Sequence, residues 1–123
     1  MIYTGYYAKL KKYKEDGLYP VAISLTTPVF FNGDLWEDVA PKPSTLWKYK
    51  KGEIDEFQFT EDYKEWLNEL DKEQIRKDLQ EALREHSDIV LLCYEKTGGF
   101  CHRHILADWI EEHLGYVVKE YLD

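Results

Sequence analysis

The chain has 123 residues, 44% hydrophobic and 15% aromatic, enough for one core and too few for two comfortable domains, so one domain over 1–123 is expected. Its net charge of −8 excludes a general nucleic-acid coat, because such binding rests on Lys and Arg neutralising phosphates; a nucleic-acid partner is expected only at a confined site. No run approaches the roughly 20 apolar residues that cross a bilayer, and Met1-Ile2-Tyr3-Thr4-Gly5-Tyr6 lacks the character of a secretory signal, so the expectation is no membrane partner and a cytoplasmic location.

In chain order, Ile2 to Leu10 is β-prone and predicts a strand, followed by a Lys-rich turn to Gly17 and a second strand over Leu18 to Ser24. Residues 26–43, with Asn32-Gly33-Asp34 and Pro41 and Pro43, read as a long loop. Ser44 is placed to cap a short helix through Lys51, closed by Gly52 and presenting Leu46, Trp47 and Tyr49. The lysines at 9, 11, 12 and 14 and at 48, 50 and 51 read as solvated faces that leave room for a confined anion site.

A longer helix is predicted from Thr60, with Tyr63, Trp66, Leu67 and Leu70 at helical spacing. Asp71 with Gln74 reads as a capping box for the next helix, whose Ile75, Leu79, Ala82 and Leu83 share a face. Ile89 to Tyr94 is apolar almost without alternation, as in a strand covered on both sides of a parallel sheet. The turn Lys96-Thr97-Gly98-Gly99-Phe100 leads to a helix from Cys101 that Gly115 closes, and Tyr116 to Leu122 reads as a last strand. The expected fold class is therefore α/β, a small three-layer fold with a mostly parallel central sheet flanked by helices.

In open α/β sheets ligands bind beyond the carboxyl ends of the strands, which singles out Cys93, Tyr94, Glu95 and the following turn. The helix starting near Cys101 turns its positive end toward that turn, and Arg103 adds a permanent charge. Cys101 beside His102 and Arg103 is an arrangement that lowers a thiol pKa, so Cys101 is a candidate nucleophile with His102 or Glu95 managing protons. With two cysteines in a reducing compartment, both are expected to be thiols. The plainer reading makes Cys93 and Cys101 packing residues and Glu95 a helix cap. A metal would draw on Cys93, Cys101 and either His102 or His104, but the Cys-to-Cys spacing fits no common zinc pattern, so no metal and no cofactor are expected. His102 and His104, two apart, face different sides of a helix.

Leu91-Leu92-Cys93-Tyr94-Glu95-Lys96 followed by Cys101-His102-Arg103-His104-Ile105-Leu106-Ala107-Asp108 resembles the Domain of Unknown Function 488 family. The likeness extends more loosely to Ile2-Tyr3-Thr4-Gly5-Tyr6-Tyr7, to Ile23-Ser24 before Pro28, and to the Tyr63-Trp66-Leu67 helix. It implies a compact α/β fold without an assigned activity, with Cys93, Glu95, Cys101, His102 and Arg103 at the signature positions. Longer members carry an Arg after the second strand where this chain has Leu25, and a His where Tyr6 follows Gly5; both departures weaken an anion site built on those side chains.

Two functions follow. The first is an enzyme acting on a small phosphorylated or nucleotide-like substrate, held by the amides after Gly99, by Arg103, by Ser24, and by stacking on Tyr94, Phe100 or a nearby Trp, with Cys93, Glu95, Cys101 and His102 as catalytic candidates. The alternative is a non-catalytic module that binds a nucleotide, a nucleic-acid end or a protein at the same turn. The oligomeric state is left open.

Overall fold

A computed structural model describes residues 1–96 and 99–122. Five strands form one all-parallel sheet: β1 (Ile2–Tyr6), β2 (Tyr19–Ala22), β3 (Asp34–Leu35), β4 (Ile89–Cys93) and β5 (Val118–Glu120), in the order β3-β2-β4-β1-β5. Among the described residues five α-helices connect them: α1 (Leu10–Glu15), α2 (Pro43–Lys50), α3 (Glu56–Glu69), α4 (Lys72–Glu85) and α5 (His102–Leu114). The expected α/β class is what is found.

The unbroken apolar run of β4 has its reason in the sheet. Ile89 and Leu91 join a core with Phe59, Tyr63, Leu79 and Leu106, while Val90 and Leu92 join a smaller one with Tyr7, Leu10, Tyr13 and Leu18. Alternate residues thus point into different cores, and neither face meets water. The layers are unequal: α2 to α5 cover one face and α1 the other.

Three boundaries differ from the sequence reading. The first strand stops at Tyr6, and Tyr7, Leu10 and Tyr13, at helical spacing, bury one side of a 3-10 turn and α1 where the lysines suggested a turn. The long loop contains β3, two exposed residues paired with Val21 and Ala22, too short for any alternation to show. Helix α3 begins at Glu56 because Asp55 accepts the amide of Gln58 at 2.8 Å, four residues before Thr60.

Other signals are found nearly where they were read. Helix α2 starts at Pro43, whose fixed φ suits the first helical position, so Ser44 lies inside the first turn and does not cap the helix as expected; Gly52 follows its end with φ of 76°. Asp71 caps α4 through the amides of Glu73 and Gln74, while the Gln74 side chain turns to Asp78 instead of closing the box. Gly115, at φ of 79°, closes α5. Thr97 and Gly98 of the predicted turn lie outside the described residues. Among the described residues no helix is long and apolar enough to cross a membrane.

From β2 the chain leaves outward to β3, and from the neighbouring β4 it leaves the other way, past β1, to β5. Connections that part in this manner open a crevice between the carboxyl ends of two strands, here β2 and β4.

Candidate functional site

That crevice is a cleft of about 460 Å³, inside the range of about 300–1,000 Å³ usual for small-ligand sites. Its floor is Cys93, Cys101 and His102, its near wall Ser24, Leu25 and Thr26 after β2, and its far wall Leu46, Trp47, Tyr49 and Lys50 of α2 with Phe59 and Phe100. Tyr94 and Glu95 line the part that follows β4.

Cys93 ends β4 and Cys101 immediately precedes the first residue of α5, so strand end and helix start bring the two sulfurs together. They are joined as a disulfide with the Cα atoms 7.2 Å apart. This corrects the expectation of two thiols: the compartment argument concerns cysteines in general, and it cannot register a crossover that sets two buried sulfurs side by side. A nucleophilic role for Cys101 therefore requires reduction first.

His102 is buried, and its Nε2 lies 2.6 Å from the carbonyl oxygen of Ile23. A carbonyl only accepts, so Nε2 carries the hydrogen and Nδ1 keeps its lone pair, 3.8 Å from the Cys101 sulfur. Burial, aided by the Arg103 charge and opposed by the Ile23 bond, pushes the imidazole pKa down to about 4. The ring is neutral with a fixed tautomer.

Arg103 has no exposed surface. Its Nε and Nη2 donate to the two carboxylate oxygens of Glu120 at 3.0 and 2.8 Å, and its Nη1 donates to the Cys93 sulfur at 3.2 Å and to the Glu95 carbonyl. It lies beneath the floor and off the pocket wall, its donors engaged within the protein, so its geometry is that of a residue positioning Cys93. Thr4 donates to the same Glu120 carboxylate at 2.6 Å, tying β1, β5 and α5 together under the site.

The remaining candidates divide. Ser24 reaches the wall, but its hydroxyl donates to the Thr26 carbonyl at 2.5 Å and accepts from Tyr7 at 2.6 Å. Tyr94 is half exposed, within 3.2 Å of the Thr26 hydroxyl. Glu95 is exposed on the rim. The Gly99 amide donates to the Lys96 carbonyl at 2.9 Å, so it is engaged within the turn. Phe100 packs on Tyr49 and Phe59, with ring centroids 5.4 and 5.5 Å apart. Among the described residues no side chain caps α5, and no acid stands in its first turn, which leaves its positive end beside the floor. His104 does not line the cleft, in keeping with its two-residue offset from His102 on the helix.

Sequence reasoning did not assign Trp47, Tyr49 and Lys50 to the site. The signal was present: α2 carries apolar residues on more than one face, and Trp47 stays 63% exposed beside lysines, which packing alone does not explain.

Residues 29–114 match the family model DUF488-N3a, described as the active DUF488-N3 subclade. The matched stretch spans α2, the cleft floor and all of α5. No curated protein and no solved structure matches the chain.

Proposed function

Since the chain belongs to the DUF488 family, in its DUF488-N3a subclade, we propose that it is an enzyme acting on a small, anionic, nucleotide-like substrate in the cleft between β2 and β4. The observation that carries this reading is the meeting of sulfur and a tautomer-fixed imidazole at the floor of an aromatic-walled cleft. Trp47, Tyr49 and Phe100 offer flat faces for a base, each worth about 1–3 kcal/mol by stacking. Lys50 and the α5 amide end suit a phosphate, a role that Arg103 leaves to them by turning inward. The chemistry belongs to Cys101 and His102, with Cys93 and Arg103 positioning them, Glu95 orienting the substrate at the rim, and Tyr94 and Ser24 shaping the near side. The subclade's description as active supports catalysis over simple binding.

The test is incubation of the dithiothreitol-reduced protein with a panel of nucleotides and phosphorylated nucleosides, with products read by mass spectrometry. The reading expects turnover of at least one member that Cys101→Ser abolishes while binding persists. Turnover unaffected by that substitution would remove the floor from the chemistry.

The joined sulfurs favour a second reading, a binding module, because a disulfide offers no nucleophile. Nucleotide affinity equal in oxidised and reduced protein, with no product from either, is its signature.

A further inference from the structure

We propose that Cys93, Cys101 and His102, once the sulfurs are separated, hold a zinc-class divalent cation whose fourth coordination position opens into the cleft. The proposal deepens the reading above by naming the cofactor of the same site.

The three donor atoms lie within 4.8 Å of one another and all three residues are buried. Bonds of about 2.3 Å to sulfur and about 2.0–2.1 Å to nitrogen, at tetrahedral angles, set neighbouring donors about 3.5–3.8 Å apart. The Cys101 sulfur and His102 Nδ1 already stand 3.8 Å apart. The cysteine Cα atoms are 7.2 Å apart, wider than the about 4.4–6.8 Å usual across a disulfide. That spacing leaves room for an ion between two separated thiolates.

The surroundings suit the ion as well. A metal-binding imidazole commonly donates its other N–H to a carboxylate or backbone carbonyl, which fixes the ring; here Nε2 is bonded to the Ile23 carbonyl and Nδ1 is the nitrogen beside the Cys101 sulfur. Arg103 donates to the Cys93 sulfur, a bond that favours the thiolate, and its own charge is answered by Glu120. Two thiolates then balance a doubly charged ion, and the buried set carries no net charge. All three ligands also line the cleft. Three protein ligands and one open position are the pattern of catalytic zinc, where structural sites close with four. The Cys-to-Cys spacing that argued against an ion is that of a strand end and a helix start, a geometry unlike the tight knuckles from which the common patterns come.

The balance is simple. A dithiol reductant passes two electrons and two protons to the Cys93–Cys101 bond and becomes a cyclic disulfide. On binding, the two thiols release two protons to solvent, and His102 contributes its lone pair without losing a proton.

The experiment is anaerobic titration of the reduced, metal-stripped full chain with Co²⁺, followed by optical absorption. We expect one equivalent to bind, with thiolate-to-cobalt charge-transfer bands and the visible bands of tetrahedral cobalt, displaced by Zn²⁺. Cys93→Ser, Cys101→Ser and His102→Gln, checked for folding by circular dichroism, should each weaken binding more than about tenfold, since even outer partners cost that much. His104→Gln should bind as the wild type does. Reduced wild type that takes up no cobalt, or full binding by folded His102→Gln, overturns the proposal. Because the titration contains no nucleotide, cobalt uptake without nucleotide binding would sink the substrate reading alone, and a reduced wild type that turns over a nucleotide but takes up no cobalt would sink the metal site alone.

Discussion

Replacing Arg103 by Met removes a side chain that ties the sulfur floor to the far edge of the sheet. The guanidinium is fully buried, pairs in both prongs with Glu120, and donates to the Cys93 sulfur and the Glu95 carbonyl. Removing one partner of a buried pair costs about 3–5 kcal/mol, because the other charge is left without compensation. Glu120 keeps the Thr4 hydroxyl and 15% of its side-chain surface, which softens the loss, so about 3 kcal/mol is expected. Urea unfolding at constant m-value measures it. Arg103→Lys should recover little, since one ammonium cannot serve a two-pronged carboxylate together with a sulfur and a carbonyl. The double variant Arg103→Met with Glu120→Leu should lose less than the sum of the single ones, by about 1–3 kcal/mol. A cost below about 1 kcal/mol for Arg103→Met, the level of an exposed pair, would refute the positioning role.

Trp47→Ala should leave stability within about 0.5 kcal/mol, the ring being 63% exposed, while weakening nucleotide binding by about 1–3 kcal/mol in fluorescence titration; equal affinity would remove α2 from the site. Gly5→Ala should destabilise by about 1–3 kcal/mol in the same urea assay, because a Cβ there falls 2.4 Å from the Tyr13 hydroxyl, and an unchanged midpoint would mean that Tyr13 moves freely. Burial raises the Tyr7 pKa from 10.0 to about 12, so native Tyr7 holds its proton where the unfolded chain loses it. Its contribution is complete below pH 10 and is lost as pH rises through about 12. The stability difference between wild type and Tyr7→Phe should shrink across that window, and a constant difference would contradict the shift.

Where one physical effect dominated, the sequence was legible. The β4 run reported a strand covered on both faces, and the Asp71 and Gly115 signals marked helix ends within a residue, because burial and capping act locally. Helix α1 and strand β3 were hidden: one by exposed lysines interleaved with the buried Leu10 and Tyr13, the other by having two residues. At the site, Cys93, Tyr94, Glu95, Phe100, Cys101 and His102 were found together because turn and helix start are neighbours in the chain. The inward turn of Arg103 toward Glu120 and the aromatic wall from α2 depend on contacts between segments farther apart in the chain, and the bond between the sulfurs, eight residues apart, depends on how strand end and helix start meet in space, which spacing alone does not encode.

The most direct test of the cleft as the working site is chemical-shift mapping of the reduced, isotope-labelled protein with a nucleoside monophosphate. The account predicts shifts concentrated at the Trp47 indole, Tyr49, Lys50, Phe100 and the amides of Cys101 and His102, with the resonances of α4 unmoved. Shifts scattered over the lysines of α1, or centred on the opposite end of the sheet, would contradict it.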